Sequence, residues 1–126
     1  AFAVSRKYMS RPFVWGENDC CSAPCSVFAE LHGVDPLAAF GRGYSTQLGA
    51  ARILHRAGGY LAWCEQVFTL PKAKIASAGD LVLIDSLDLF GASLAICVQP
   101  DEFATKMKTG MAVVRANAMG VWTWHS

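Results

Sequence analysis

Apolar residues in the first half of the chain recur at helical spacing, whereas those in the second half fall into short runs. A helical piece within residues 1–12 should end near Ser10 and Arg11, because Pro12 disfavours helix at the residue before it. Residues 12–19, PFVWGEND, read as an extended arm and turn. Asp19 is a good N-cap residue, and Cys21, Cys25, Phe28 and Leu31 follow as one helical stripe that stops near His32, with Gly33 as the C′ glycine. Residues 34–45 form a loop with room for one turn of helix. Ser45 can cap a second helix bearing Leu48, Ala51, Ile53 and Leu54, closed by Gly58-Gly59, and residues 60–68 predict a third, shorter one. The period then changes. LVLID (81–85), SLAICV (93–98), AVVRA (112–116) and VWTW (121–124) read as strands bounded by Gly, Pro, Asp or Asn. The polar stretch 101–110, with Lys106 and Lys108, reads as a mobile, solvent-facing loop. Helices first and strands later predict an α+β domain, its N-terminal helices packed on a small antiparallel sheet.

Composition narrows the class. The 126 residues are 53% hydrophobic and only 17% charged, against roughly 25% in an average soluble chain. One domain, 1–126, is expected, with residues 1–11 as an arm or short helix. Disorder is excluded by the low charge. The longest apolar stretches are far short of the ~20 residues a bilayer span requires, so no membrane span is expected. A net charge of +1 offers no electrostatic reason for nucleic acid as a partner. So little charge on so small a chain suggests a surface covered by another protein. The N-terminus has no sustained apolar stretch of the secretory kind. Five cysteines, an odd number, argue against a disulfide scaffold.

The segment Trp15-Gly16-Glu17-Asn18-Asp19-Cys20 carries the most chemical information. A cysteine just inside a helix N-terminus meets the positive end of the macrodipole and unpaired N–H groups. Both favour the nucleophilic thiolate, and the same N–H groups could hold an oxyanion. The plain alternative is a small buried hydrophobe. Pro24 bears on the choice, since within a helix it would clash with the carbonyl of Cys20; either the helix starts a residue or two later or its first turn is deformed.

PFVWGENDC resembles the nucleophile motif of the NlpC-type cell-wall cysteine peptidases, and AGDLVLID (78–85) resembles that family's Gly-Asp-Leu-Val segment. Closer still is the likeness to short phage-tail proteins, carried by residues 11–20, by Gly41-Arg42-Gly43-Tyr44 and by 49–59. The resemblance implies a papain-like NlpC-type fold, with Cys20 as candidate nucleophile. The family's general base, a His at the start of the second strand, falls here on Ser93, which cannot accept a thiol proton at neutral pH. Phe13 stands where the peptidases often carry a Tyr hydroxyl. The resemblance therefore implies a degenerate peptidase fold kept as a tail-tip or tail-assembly structural protein of the virion, made in the bacterial host cytoplasm. Its partners would be hub or tip proteins, with peptidoglycan as a further contact. The alternative is an active thiol peptidase that cuts peptidoglycan stem peptides during penetration.

Other residues are weaker candidates. His32 suits the C-terminal end of its helix, and His55 an exposed helix face. His125 could fold back toward Cys20 as a base. Asp80 reads as a turn or cap residue more than as an imidazole orienter. Trp122 and Trp124 alternate along the last strand, as core or, together with Trp15 and Phe13, as an aromatic binding surface. The cysteines could ligate zinc or an iron–sulfur cluster, but there is no C-x-x-C pair, and Cys21 and Cys25 fit the apolar stripe. No metal and no cofactor is expected.

Overall fold

The computed structural model describes residues 1–38, 40, 43–86 and 90–124. Four helices precede five strands: α1 (Phe2–Met9), α2 (Ser22–His32), α3 (Gln47–Ala57), α4 (Tyr60–Val67), β1 (Leu81–Asp85), β2 (Ala92–Gln99), β3 (Glu102–Met107), β4 (Gly110–Val114) and β5 (Ala118–Trp122). The strands form one sheet in the order β4-β3-β2-β1-β5, and every neighbouring pair is antiparallel. The α+β class expected from the order of periodicities is the class observed.

The helix ends have specific causes. In α2 the chain leaves through Gly33 at φ 72°, a left-handed position that glycine occupies without strain. Helix α3 starts one residue later than expected. Thr46, not Ser45, is its cap, and the Thr46 hydroxyl accepts from Gly49 N at 3.0 Å. Pro24 is the third residue of α2, where a missing N–H is tolerated. Cys20, whose carbonyl the ring would strike, lies outside the helix, so the first of the two alternatives is realised.

Strand alternation sorts the sheet into two buried faces. Leu81 and Leu83 of β1, Leu94 and Ile96 of β2, Ala104 of β3 and Trp122 of β5 face the helices and pack with Met9, Val27, Phe28, Trp63 and Cys64. Val82, Ile84, Ala95, Cys97, Phe103 and Val121 form a second core on the other face, joined by Ala73 and Ala76. Segment 71–73 also covers the β5 edge, through Ala73 N to Val121 O (3.0 Å) and Thr123 N to Pro71 O (2.9 Å).

The stretch read as a mobile loop is in fact β3 and the turn into β4. Lys106 is 2% exposed, the reverse of the solvent-facing charge expected, and its ammonium donates to Arg11 O at 2.6 Å. Its strand position turns it toward the helix side, where α1 and the segment after it lie. The carbonyl takes up part of the cost of burying the ammonium.

Phe28, with no exposed surface, sits centrally in the helix-side core, whereas Ile75 is 83% exposed. Phe28→Ala should therefore lower unfolding free energy by about 3–5 kcal/mol, and Ile75→Ala should change it by less than about 0.5 kcal/mol. Urea titration of the two variants measures the contrast, and equal effects would mean that Phe28 does not anchor this core.

Candidate functional site

The loop before α2 is built around one carboxylate. Asp19 is fully buried. Its Oδ1 accepts from Cys21 N (2.8 Å), Ser22 N (2.8 Å) and the Ser22 hydroxyl (3.0 Å), and its Oδ2 accepts from Gly16 N (2.7 Å). The Tyr44 hydroxyl hydrogen-bonds the same carboxylate. Asp19 N in turn donates to Ser22 Oγ at 2.8 Å, giving a reciprocal capping box across Asp19 and Ser22. Asp19 thus acts as the cap that the sequence pattern suggested, although regular helix begins only at Ser22.

This arrangement changes what Cys20 can do. Cys21 N and Ser22 N are bound by the Asp19 carboxylate and Ala23 N by the Asp19 carbonyl (3.0 Å). Pro24 has no N–H, and Cys25 N bonds Cys21 O (3.4 Å). No N–H of residues 21–25 is left to stabilise a thiolate or hold an oxyanion at Cys20.

Cys20, 9% exposed, borders two depressions. One is a narrow apolar slot of about 20 Å³ between Trp15, Tyr60, Trp63 and Phe90. The other is a cleft of about 340 Å³ lined by Phe13, Trp15, Cys20, Phe90, Lys106, Met107, Lys108 and Thr109. Its aromatic wall is ordered by edge-on contacts, with ring centroids 4.9 Å apart for Phe13 and Trp15 and 6.4 Å for Trp15 and Phe90. Three of the residues singled out from sequence, Cys20, Trp15 and Phe13, therefore meet here. Phe90 and Lys106 were missed. The run of alternating residues 103–107 ahead of Lys108-Thr109-Gly110 is a hairpin signal that could have exposed Lys106.

The remaining candidates lie elsewhere. Ser93 pairs with Ile84 on β1 and alternates with Ala92 and Leu94, which places it on the sheet face away from the helices. Asp80 lies beside Cys97, whose thiol it influences; Asp80 Oδ2 accepts from Ser77 N (2.8 Å), closing the turn into β1, while Oδ1 is buried without a hydrogen-bond partner. His32 ends α2, about 15 Å along the axis from its first residue, donates from Nε2 to Gly79 O (2.9 Å) and stacks on Trp124 at 3.8 Å. His55 is exposed on α3. His125 lies outside the described residues. Trp122 is a core residue packed edge-on against Phe68 (5.2 Å), so it does not join a binding surface with Trp124.

Three of the other thiols, Cys25, Cys64 and Cys97, are packed and held protonated. All five cysteines are free and buried. Burial first, then a hydrogen bond and charge from Cys21, pushes the Cys25 thiol upward, and burial does the same to Cys64. Burial, with Asp80 and Asp101 nearby, pushes Cys97 up to about 11. Metal ligation would require thiolates, and among the described residues no group of three or more His, Cys, Asp or Glu is disposed to hold a metal ion. Among the described residues no helix is long and apolar enough to cross a membrane.

A family model matches residues 1–124. The chain belongs to the family DUF6950, a domain of unknown function. No curated protein and no solved structure matches it. The match spans the helices, the sheet and the whole Asp19 loop.

Two expectations follow. Asp19→Ala removes the cap and leaves buried N–H groups unpaired, so it should cost about 3 kcal/mol of stability in chemical denaturation; a loss below about 1 kcal/mol would show that the loop does not depend on this carboxylate. Thiols with raised native pKa values bind protons more tightly folded than unfolded, so their contribution is intact below the ordinary thiol value of 9.0 and is lost as pH rises toward about 11. Unfolding free energy measured from pH 8 to 10.5 should fall, and Cys97→Ala should fall less steeply; an identical slope would remove Cys97 from the cause.

Proposed function

We propose that this chain is a phage tail-tip or tail-assembly structural protein built on a degenerate, papain-like cell-wall cysteine peptidase fold. The observation that carries the reading is the environment of Cys20. Its cleft is walled by Phe13, Trp15 and Phe90, and neither His32 nor His55 lines it. A thiol peptidase needs an imidazole within hydrogen-bond reach of the sulfur. The occupied N–H groups of residues 21–25 support the same reading, because they remove the helix-terminus contribution to thiolate formation. The assembly role rests on the likeness of residues 11–20 and 49–59 to phage-tail proteins. Several large apolar side chains left exposed, among them Leu48 (60%) and Phe2 (49%), suit a surface that other tail proteins cover.

The test joins reactivity with binding. Iodoacetamide at neutral pH should label Cys20 of the folded protein more slowly than a free thiol, and purified peptidoglycan should show no new termini after incubation. Cys20→Ser should still bind hub or tip proteins of its own tail. Rapid labelling together with stem-peptide cleavage would replace this reading with that of an active peptidase. Loss of tail binding in the correctly folded Ser variant would overturn the assembly role.

A further inference from the structure

The cleft beside Cys20 has a charge pattern that an assembly role does not use. Its floor and walls are apolar, from Phe13, Trp15 and Phe90, and its two charged lining residues are both cationic. Lys108 is exposed at the rim, on the turn between β3 and β4. Lys106 is 98% withdrawn from solvent, yet its ammonium has three N–H donors and one hydrogen-bond acceptor, the Arg11 carbonyl. The Phe13 ring, 6.0 Å from Nζ, adds a weak cation–π contact but accepts no conventional hydrogen bond. Among the described residues no carboxylate lines the cleft. A buried cation with donors to spare, in an apolar cleft of about 340 Å³ at the small end of ligand sites, has no counter-charge among the described residues.

We infer that this cleft binds an apolar or aromatic group bearing a carboxylate, with the carboxylate on Lys106 and the apolar body against Trp15, Phe13 and Phe90. A single carboxylate charge matches the one buried ammonium, that of Lys106, whereas Lys108 lies at the solvated rim, where its charge is screened. The ligand can be a free small acid or the carboxyl terminus of a peptide ending in an apolar residue, since both present the same chemistry. The inference goes beyond the assembly reading and requires no reaction at Cys20.

The probes are 3-phenylpropionate, its amide, a tetrapeptide ending in Phe with a free carboxylate, and the amide of that peptide. Each is titrated into the full chain while the Trp15 indole N–H is followed by NMR. An acid should move this resonance and bind about 10-fold or more tightly than its amide, the effect of one charge-assisted hydrogen bond. Lys106→Met, which keeps the apolar stem, should abolish the difference between acid and amide. Lys108→Met, at the rim, should reduce it only slightly and serves as the measure if the Lys106 variant does not fold. Binding by phenylpropionate alone identifies a small acid as the ligand, and binding by the peptide identifies a chain terminus. Equal binding of acids and amides, no shift at millimolar concentration, or an acid preference unchanged in folded Lys106→Met would overturn the inference. None of these results depends on whether tail proteins bind.

Discussion

The Asp19 carboxylate is buried with no basic side chain among its hydrogen-bond donors, so it depends on N–H and O–H groups supplied by its own surroundings. Gly16 N, the N-terminal amides of α2, the Ser22 hydroxyl and the Tyr44 hydroxyl provide them. The helix dipole adds favourable potential at the same point. Such a carboxylate costs several kcal/mol to bury unless its donors hold position, which makes the loop geometry cooperative. Tyr44 comes from a segment more than twenty residues downstream, and Gly16 packs against it so closely that an added Cβ would lie 2.1 Å from Tyr44 O. With φ 84° as well, the position admits only glycine without movement of the chain. Two sequence features that look unrelated, the Trp-Gly turn and the Gly-Tyr element, are thus halves of one contact.

How far the sequence could be read depended on which force set each element. Helices α2 and α4 and strand β1 were legible because apolar period and capping residues agreed: Phe28, Leu31 and Gly33 end one helix as expected, and the bounds of β1 match LVLID. Strand β3 was hidden because Lys106 and Lys108 read as solvated charge, whereas the Lys106 ammonium is buried and donates to a carbonyl 95 residues earlier in the chain. Local pattern carries no information about such a partner. Trp122 and Trp124 were grouped by alternation, but β5 ends at Trp122, so the alternation that would put Trp124 on its face does not continue. Trp124 instead stacks on His32 and fixes the far end of α2.

The candidate site was legible in part for the same reason. Cys20, Trp15 and Phe13 are close in sequence, and a tight loop keeps them close in space. Ser93 was assigned by alignment to a motif, and such an assignment gives position along a strand but not its face. The pairing Ile84↔Ser93 settles the face, because Ile84 belongs to the core remote from the helices. A one-residue offset reverses every side chain of a strand, so motif matching at β2 is particularly sensitive to register.

The loop from Arg11 to Asp19 is held from several directions. Lys106 grips its start through Arg11 O. Asn18 Nδ2 donates to Tyr8 O (3.2 Å) and Pro12 O (3.1 Å), and Val14 and Asn18 exchange backbone hydrogen bonds of 3.2 and 2.8 Å. Asp19 secures its end. These polar contacts account for Gly16, Asn18 and Asp19 without reference to any reaction: one for its backbone angle and close approach, one for tying the loop to α1, one for the cap. A motif that resembles a nucleophile signature is, residue by residue, mostly the specification of a loop. Phe13, Trp15 and Cys20 are the residues of the motif that border the cleft. These three side chains form surface of the cleft, and it is there, beside Lys106, that the loop's rigidity has a consequence outside the loop itself.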